Sequence, residues 1–415
     1  MNLPAHGGQL RRIAAHYGIP AHEILDFSAN INPEGPPASV LAALHRALED
    51  PATLTNYPDL DLQALKQSIA DHLNQAAVIL SAAKNLGSSS EAAGSLRAPS
   101  IRSLTPNGWE VSSPPATSIT PQNLSIANGF VPLLEATIRT RKIRRCLLPI
   151  PSFSEYRRTL ELNGVEVIPY PLPQNRVPHV PLQGRGFSGS EQPFHYNPEA
   201  LLSTLNQTNS DAILLANPQN PSGHLTPAAV LSDLIANTQA TILLDEAFVD
   251  YAPTESLTTA PLTHPNLIVF RSVTKFFAMP GLRVAYCVSH PDTARQINEI
   301  LPPWPITTLS THAVQAALAD EPYHHLTRTL NQTRRESLST ALTQLGITPY
   351  PAAANFLLLP LPSDAQQIWQ SLLTDHQIHL RTCTNFESLP GPHLRTAIRT
   401  EPENARLITA LRAIL

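Results

Sequence analysis

One lysine of this sequence has neighbours that could hold a phosphorylated aldehyde. Lys275 follows Ser272 by three positions, and Arg283 comes eight residues after the lysine. A lysine amine binds an aldehyde as a Schiff base, while hydroxyl groups and a guanidinium suit a phosphate. The apolar run 267–270 predicts a buried strand that ends at this motif. Because Ser-x-x-Lys is also common in ordinary loops and helix starts, the motif alone leaves both interpretations open.

Two other polar side chains follow predicted strands. Asp245 comes after the apolar run 241–244, and ligands of doubly wound sheets bind at that end of the strands. A buried carboxylate needs a partner, such as a protonated ring nitrogen, although Asp245 could instead cap the next turn. Asn217 begins the segment Asn-Pro-Gln-Asn-Pro-Ser-Gly. Its amide could donate to a ring oxygen, or the segment could be only a rigid turn.

Two further strand ends carry residues that suit a planar phosphate ester. Gly129 lies between a predicted strand and a predicted helix, where free backbone N–H groups can bind a phosphate. Phe153 follows another predicted strand, and its ring could stack on a flat cofactor or pack in the core.

Basic and polar residues near both ends of the chain are candidates for binding an anion. Arg381 ends a predicted strand, and Arg395 and Arg399 are spaced to share one face of another. A guanidinium binds carboxylates and phosphates through paired hydrogen bonds. The polar segments near the start add His6, Ser28 and Asn32. Each of these residues could equally be a cap or a surface group.

The elements that must position these groups alternate along the chain. Short apolar runs at 124–127, 146–150, 165–170, 212–216, 241–244, 267–270 and 284–288 are separated by segments of helical periodicity. This alternation predicts an α/β fold, a three-layer, mostly parallel sheet with helices on both faces. Helical patterns at 309–319, 323–345 and 403–415, with strands at 356–359, 378–381 and 395–399, predict a smaller α+β domain. We expect an N-terminal arm over 1–40 that reaches the small domain and the site, a large domain over 41–290 and a small domain over 291–415.

Two segments interrupt this pattern. Residues 76–121 are rich in Ser, Ala and Pro and have little periodicity, which predicts a disordered insertion. Residues 171–193 are predicted to form a second, shorter irregular insertion. The sequence does not indicate a role for either.

Composition excludes several classes of protein. The 415 residues are 42% hydrophobic and 14% charged with a net charge of −4, which favours a globular protein and offers no basic stripe for nucleic acid. The three cysteines are far apart, which is typical of free thiols, and no residue set indicates a metal site. We see neither a signal peptide nor an apolar run of the ~18 residues that a membrane helix needs, so we expect a cytoplasmic protein.

Taken together and in order, the motifs resemble those of the fold-type I pyridoxal-phosphate (PLP) enzymes. The matching positions are Tyr57-Pro58-Asp59, Asn128-Gly129, Pro151-Ser152-Phe153, Asn217-Pro218, Asp245-Glu246-Ala247, Ser272-x-x-Lys275 and Arg283. Within that superfamily the chain is similar to the branch that contains histidinol-phosphate aminotransferase and threonine-phosphate decarboxylase. The decarboxylase pattern is the finer match, at His6-Gly7-Gly8, 25–33, Pro302-Pro303-Trp304, 380–383 and 394–399.

The resemblance implies a role for each matching residue. The cofactor-binding set is Lys275, Asp245, Asn217, Phe153, Ser272, Arg283, Gly129 and Tyr57, of which Lys275, Asp245 and Asn217 are also catalytic. Lys275 would bind the PLP aldehyde, Asp245 would pair with the ring nitrogen and Asn217 would bond the ring 3-oxygen. Tyr57 would reach the phosphate of a partner subunit, which implies a homodimer. The substrate-binding set is Arg395, for the carboxylate, with Arg381, Asn32, Ser28 and His6 for the phosphate end.

Two reactions are compatible with this resemblance. The first is decarboxylation of L-threonine O-3-phosphate to 1-aminopropan-2-yl phosphate, a carbon–carbon lyase step of cobalamin biosynthesis. The second is transamination of histidinol phosphate or a related amino acid, and a non-catalytic PLP-binding protein is an alternative of another class. Two positions depart from the family pattern. Phe248 stands where many aminotransferases have tyrosine, and the glutamate expected near Gly129 comes only at Glu135.

Overall fold

A computed structural model describes residues 7–88, 118–174, 193–361 and 364–415 of the chain. The N-terminal part contains α1 (Leu10–Tyr17), β1 (Leu25–Asp26), α2 (Ala38–Glu49), α3 (Ala52–Thr55) and α4 (Gln63–Ser88). The central part contains β2 (Leu124–Ala127), α5 (Phe130–Arg141), β3 (Arg145–Ile150), α6 (Ser154–Leu162), β4 (Glu166–Pro171), α7 (Pro198–Thr208), β5 (Ala212–Ala216), α8 (Ala228–Ala236), β6 (Thr241–Asp245), β7 (Leu267–Ser272) and β8 (Ala285–Val288). The C-terminal part contains α9 (Pro291–Ile300), α10 (Thr308–Leu318), α11 (Glu321–Gln344), β9 (Phe356–Pro360), α12 (Ala365–His376), β10 (Ile378–His379), β11 (Arg381–Thr382), β12 (His393–Ala397) and α13 (Glu401–Ile414).

Seven strands form one mixed sheet in the order β2-β8-β7-β6-β5-β3-β4. Only β8 runs antiparallel to its two neighbours, so the sheet is mostly parallel, as the sequence predicts. The strands other than the edge strand β4 are buried on both faces. For example, Leu148 of β3 packs with α5 and α6, whereas its neighbour Leu147 packs with α7 and α8. This alternation of side chains along each strand produces three layers and confirms the α/β prediction.

The second, smaller sheet contains the strands β11-β12-β9, all antiparallel. The N-terminal segment packs beside it, because β1 pairs in parallel with β10 and Phe27 lies in the same apolar cluster as Trp369. Residues near the start of the chain are therefore held next to residues near its end.

The structure corrects three local expectations. The helix α4 continues to Ser88, so the first part of the predicted insertion 76–121 is helical. At the other end of the predicted insertion, Ile119 is buried, and its backbone forms two 2.8 Å hydrogen bonds with the Asn74 side chain. β4 extends to Pro171, at the start of the predicted insertion 171–193. Residues 89–117 and 175–192 lie outside the described residues. β12 ends at Ala397, so Arg399 does not share its face with Arg395 and instead forms an ion pair of 2.7 Å with Glu403.

Among the described helices, none combines the length and the apolar character that a membrane span requires.

Candidate active site

A cavity of about 580 Å³ opens at the carboxyl edge of the large sheet. The sequence-predicted residues on its wall are Lys275, Asp245, Phe153, Ser272, Arg283, Gly129, Ser28, Arg381 and Arg395. Asn217, Asn32 and Tyr57 are not on that wall, and His6 lies outside the described residues. The cavity brings together groups from the ends of β2, β5, β6 and β7 with groups from the small sheet, which is the usual ligand position of a doubly wound sheet.

Lys275 follows β7, and its environment weakens the binding of a proton. Burial of the ammonium, together with the positive charges of Arg395 and Arg283, lowers the pKa of Lys275 to about 8, although Asp245 opposes the shift. A substantial fraction of the amine is therefore neutral near physiological pH, and the neutral amine is the nucleophilic form. The lysine backbone is also held, because its carbonyl accepts a 3.1 Å hydrogen bond from the N–H of Asn32.

Asp245 ends β6 and is nine-tenths buried. One carboxylate oxygen accepts a hydrogen bond from the Tyr156 hydroxyl, and the other accepts from the N–H of Ala247 at 2.9 Å. Burial raises the pKa of Asp245 to about 6, while these two hydrogen bonds and the charge of Lys275 act in the opposite direction. The group is thus mostly an anion at neutral pH and suits a cationic ring nitrogen.

Tyr156 is a residue that the sequence reasoning missed. It lies on α6, three positions after Phe153, and its ring packs edge-on against the Phe153 ring with centroids 5.5 Å apart. A Phe-x-x-Tyr spacing at the start of a helix that follows a strand places both rings over the strand end. The sequence could therefore have indicated Tyr156 through its spacing from Phe153.

Gly129, Ser272 and Arg283 form a cradle of donors at one end of the cavity. Gly129 has φ of 97°, and a Cβ atom there would lie 2.9 Å from Nη2 of Arg283, so only glycine leaves room for the guanidinium. The hydroxyls of Ser272 and Thr274 lie 2.9 Å apart and are hydrogen-bonded. These donors converge with the start of α5, which is the arrangement that binds phosphates.

The start of α5 determines which backbone N–H groups the cradle can use. The N–H of Gly129 donates to the carbonyl of Ala127 at 2.8 Å, and Pro132 has no N–H. The N–H groups of Phe130 and Val131 have no partner within the helix, and both residues line the cavity. They are the backbone donors that the cradle offers.

Asn217, the asparagine predicted to bond the cofactor ring, does not line the cavity, whereas Asn220 does. Asn217 is fully buried, and its amide forms hydrogen bonds with the backbone of Thr226 in both directions, at 2.8 and 2.9 Å. Asn220, three residues later, lines the cavity, and its Oδ1 accepts a 2.7 Å hydrogen bond from Arg395. Asn217 therefore holds the loop closed, while Asn220 presents its amide to the cavity.

Arg381 and Arg395 form the far wall of the cavity. They are direct partners in the antiparallel pair β11–β12, so both side chains leave the sheet on the same face. Each guanidinium lies over an aromatic ring, Arg381 over Phe386 at 5.4 Å and Arg395 over Phe356 at 4.8 Å. Burial lowers the pKa of both arginines, which means that anions entering the cavity would relieve an unfavourable charge.

The N-terminal loop contributes to the same wall, but not through Asn32. The Asn32 amide donates to the carbonyl of Phe276 at 3.1 Å, to the Tyr323 hydroxyl at 2.8 Å and to Thr327 at 3.1 Å, so it anchors the loop. Asn30, two residues earlier, lines the cavity, and its buried Nδ2 has no hydrogen-bond partner among the residues that the structure describes.

Ser28 lies on the wall as predicted, and its Oγ accepts a 3.0 Å hydrogen bond from the N–H of Gly8. Its own hydroxyl proton remains a possible donor to a ligand. Asn30 and Ser28 together give the N-terminal loop two polar groups that face the cavity.

Tyr57 lies outside the cavity of its own chain. It is 79% exposed, and its ring stacks on Trp304 with centroids 4.4 Å apart. Its predicted contact with a cofactor in a partner subunit stays a prediction.

The residues present fit PLP. A carboxylate for the ring nitrogen, an amine of lowered pKa and a donor cradle that glycine keeps open lie around one cavity with Phe153 on its wall. The fold and this set of side chains define the class of PLP-dependent enzymes, and Lys275 is the amine on the cavity wall.

The comparisons with known proteins agree with this class. The family "Aminotransferase class I and II" matches residues 22–411. Threonine-phosphate decarboxylase of Salmonella typhimurium is 31% identical over 99% of this chain and 96% of its own length. Histidinol-phosphate aminotransferase 1 of Nitrosococcus oceani is 31% identical over 56% of this chain and 64% of its own length. Histidinol-phosphate aminotransferase from Sinorhizobium meliloti, solved in complex with pyridoxal-5'-phosphate, has a TM-score of 0.74 at 21% identity and covers 100% of this chain and 96% of its own.

The chain therefore belongs to the class I and II aminotransferase family, and PLP is its cofactor.

Proposed function

We propose that this protein decarboxylates L-threonine O-3-phosphate to 1-aminopropan-2-yl phosphate in cobalamin biosynthesis. The observation that carries the proposal is the pair of buried arginines, Arg381 and Arg395, on the wall of the cavity. Two adjacent buried cations, separate from the cradle around Arg283, suit a substrate with two anionic groups. Threonine phosphate has a carboxylate and a phosphate, whereas histidinol phosphate has only the phosphate. The similarity to a threonine-phosphate decarboxylase along 99% of the chain supports the same reading.

When bound, PLP supplies a carbonyl that condenses with amines and a ring that accepts electrons from whichever Cα bond stands perpendicular to it. The chain supplies the groups that hold it. Asp245 would pair with the ring nitrogen, Asn220 would face the ring oxygen in place of Asn217, and Phe153 would lie against the ring. Ser272, Arg283 and the N–H groups of Phe130 and Val131 would hold the phosphate.

The arginines decide which substrate bond is in position to break. Arg395 would bind the substrate carboxylate, and its hydrogen bond to Asn220 holds the guanidinium at the cavity wall. Arg381, with the unpaired amide of Asn30, would bind the substrate phosphate. After CO₂ leaves, Cα must gain a proton, and the amine of Lys275, with its pKa of about 8, is suited to supply it.

A second function is favoured by one observation. Two histidinol-phosphate aminotransferases are 31% and 33% identical to about half of this chain. Histidinol phosphate has no carboxylate to lose, so Lys275 would remove the Cα proton instead, and transamination would follow.

The two reactions differ in whether they need a 2-oxo acid. The PLP-loaded protein should release CO₂ from O-phospho-L-threonine without 2-oxoglutarate and should give one equivalent of amino-alkyl phosphate. Turnover of histidinol phosphate that depends on 2-oxoglutarate, with no CO₂ from phosphothreonine, would show the decarboxylase proposal to be wrong. Retention of PLP without turnover of either substrate would instead support the non-catalytic alternative.

We also infer a homodimer. Tyr57 is exposed, and so are other large apolar side chains between residues 41 and 60, namely Leu41, Leu48, Leu54 and Leu60. An apolar surface of this kind is typical of an interface. Light scattering should give twice the chain mass. A monomer that turns over normally would exclude a role for Tyr57 in a partner's site.

A further inference from the structure

A second group of titratable side chains lies behind Lys275, outside the cavity. His72 is on α4, and Glu321 and His324 are in the first turn of α11. One ligand atom from each of the three lies within 4.8 Å of the other two. None of these residues lines the cavity, and the proposed reaction uses none of them.

The tautomer of His324 is fixed by its surroundings. The residue is 1% exposed, and its Nε2 lies 2.8 Å from the carbonyl oxygen of Ala317. Because a carbonyl can only accept a hydrogen bond, Nε2 donates its proton to Ala317, which leaves Nδ1 as the ring nitrogen that can bind a metal ion. Among the described residues, this buried Nδ1 has no hydrogen-bond partner, and it lies 3.6 Å from a carboxylate oxygen of Glu321. A metal ion between this nitrogen and the carboxylate would give both groups a partner.

His72 adds a second buried imidazole to this group. In the described part of the chain its Nδ1 likewise has no hydrogen-bond partner, and its ring packs edge-on against the His324 ring with centroids 5.2 Å apart. Burial lowers the pKa of His72 to about 4; the nearby charges of His324, Arg271 and Arg328 act in the same direction and Asp250 opposes them. An unpaired imidazole nitrogen of this kind can bind a metal ion.

We propose that Nδ1 of His72, Nδ1 of His324 and the carboxylate of Glu321 form a binding site for a divalent transition metal ion, with Zn²⁺ as the fitting example. Two imidazole nitrogens and one carboxylate oxygen suit Zn²⁺, and the exposed side of Glu321 leaves room for water as a fourth ligand. The Ala317 carbonyl would act as the outer partner that orients one imidazole, as is usual for metal-bound histidine.

The site would connect two elements that frame the active site. It joins α4 to α11, and the His324 ring packs against Phe276 and Phe277, with centroids 6.0 and 5.3 Å apart. These two residues directly follow Lys275 in the sequence. Because no ligand of the metal faces the cavity, the ion would stabilise the wall behind the lysine and would take no part in the reaction.

The nearby charges permit this assignment. Arg271 is paired with Asp250, and Arg328 donates to the backbone carbonyl of Asp250 at 2.9 Å. Asp250 is thus engaged by two arginines, and Glu321 is the carboxylate within ligand distance of both histidines. Its replacement should weaken metal binding without removing a buried side chain.

The test is the metal content of the full-length, PLP-loaded protein, prepared without a histidine tag and dialysed against micromolar Zn²⁺. We expect about one Zn²⁺ per chain in the wild type. Binding in His72→Gln and in Glu321→Gln should be weaker by roughly tenfold or more, since even outer partners of metal ligands affect affinity by that much. The matched control is His325→Gln, which changes an exposed histidine next to His324 and should bind like the wild type.

Two further measurements separate specific from incidental binding. Zn²⁺ should raise the Tm of the wild type and of His325→Gln, and should raise it less in the two ligand variants. Co²⁺ in place of Zn²⁺ should give visible absorption bands of a low-symmetry nitrogen–oxygen site. Absence of bound Zn²⁺ in the wild type, or equal binding by His72→Gln and His325→Gln, would overturn the proposal. Because Glu321 is exposed, its variant tests the site even if His72→Gln fails to fold.

Discussion

The cavity has two sides that are built differently. The proposed cofactor side consists of Gly129, Asp245, Ser272, Lys275 and Arg283, and each residue lies at or within three residues of a strand end of the large sheet. On the substrate side, Ser28, Asn30, Arg381 and Arg395 come from the N-terminal loop and the small sheet. The cofactor side is therefore local in sequence, one strand end at a time, whereas the substrate side exists only where the two ends of the chain meet.

We infer that the two sides have different tasks, which are binding of the cofactor and recognition of the substrate. A cofactor common to a large family can be held by groups that the sheet itself positions, because parallel strands present their carboxyl ends at one edge. A particular substrate is recognised by groups whose positions depend on pairings such as β1 with β10 and β11 with β12. Changes on the cofactor side should abolish all turnover, and changes on the substrate side should leave the cofactor bound.

The largest effect is expected for Lys275→Ala. Loss of the amine that binds the cofactor covalently should lower kcat by roughly 10⁴-fold or more, in line with the removal of catalytic nucleophiles. The visible absorption band of the lysine-bound cofactor should disappear in the same variant. Turnover within tenfold of the wild type would show that the cofactor side has been assigned wrongly.

On the substrate side, Arg395→Met should lower kcat/KM for phosphothreonine by about 10² to 10³-fold, because it leaves a buried carboxylate unpaired. The spectrum and content of bound PLP should stay unchanged. Arg399→Met is the matched control, since this arginine pairs with Glu403 outside the cavity, and its activity should stay near that of the wild type. Loss of PLP from Arg395→Met would show that the substrate side also contributes to cofactor binding.

The two asparagines of the 217–223 loop allow a finer test, because one should affect stability and the other should affect catalysis. Asn217→Ala removes the side chain that bonds Thr226 in both directions and should lower the free energy of unfolding by about 2 kcal/mol, with little effect on kcat of the folded protein. Asn220→Ala should have the reverse pattern, with kcat lowered about tenfold and Tm nearly unchanged. Thermal unfolding and steady-state kinetics of both variants check this, and the same pattern in both would contradict it.

The smallest effect is expected for Tyr156→Phe, measured by pH. The Tyr156 hydrogen bond lowers the pKa of Asp245, so its loss should raise that pKa above about 6. Asp245 would then become neutral at a higher pH, and a neutral acid cannot pair with a cationic ring nitrogen. As the pH is lowered, PLP should therefore dissociate at a higher pH from this variant than from the wild type. Dissociation at the same pH in both proteins would show that Tyr156 does not contribute to cofactor binding.

The sequence predicted the fold more accurately than it predicted which asparagine side chains face the cavity. Strands β2 and β5 have the predicted bounds, and each of the other five strands of the large sheet differs by one or two residues at an end. Their apolar runs are short, continuous and bounded by turn residues, which is a strong local signal. Helix α12, in contrast, was not predicted.

The errors at the site have one cause. Asn217 and Asn220 both occur in Asn-Pro pairs of one loop, and Asn30 and Asn32 are two residues apart in another. Within each pair, one amide is fully engaged by the protein and the other faces the cavity. Residue type and spacing do not distinguish the two, because the choice depends on hydrogen-bond partners such as Thr226 and Tyr323 that are distant in sequence or beyond the loop.

The sequence by itself determined the alternation of strands and helices and the class of cofactor, because period, turn residues and the Ser272-x-x-Lys275 spacing are local properties. Only the tertiary structure decided which asparagines face the cavity and that Arg381 stands beside Arg395. It also brought His72 to His324 from helices that are far apart in the chain. These decisions depend on strand register and helix packing, and both are set by burial of apolar side chains over the whole chain.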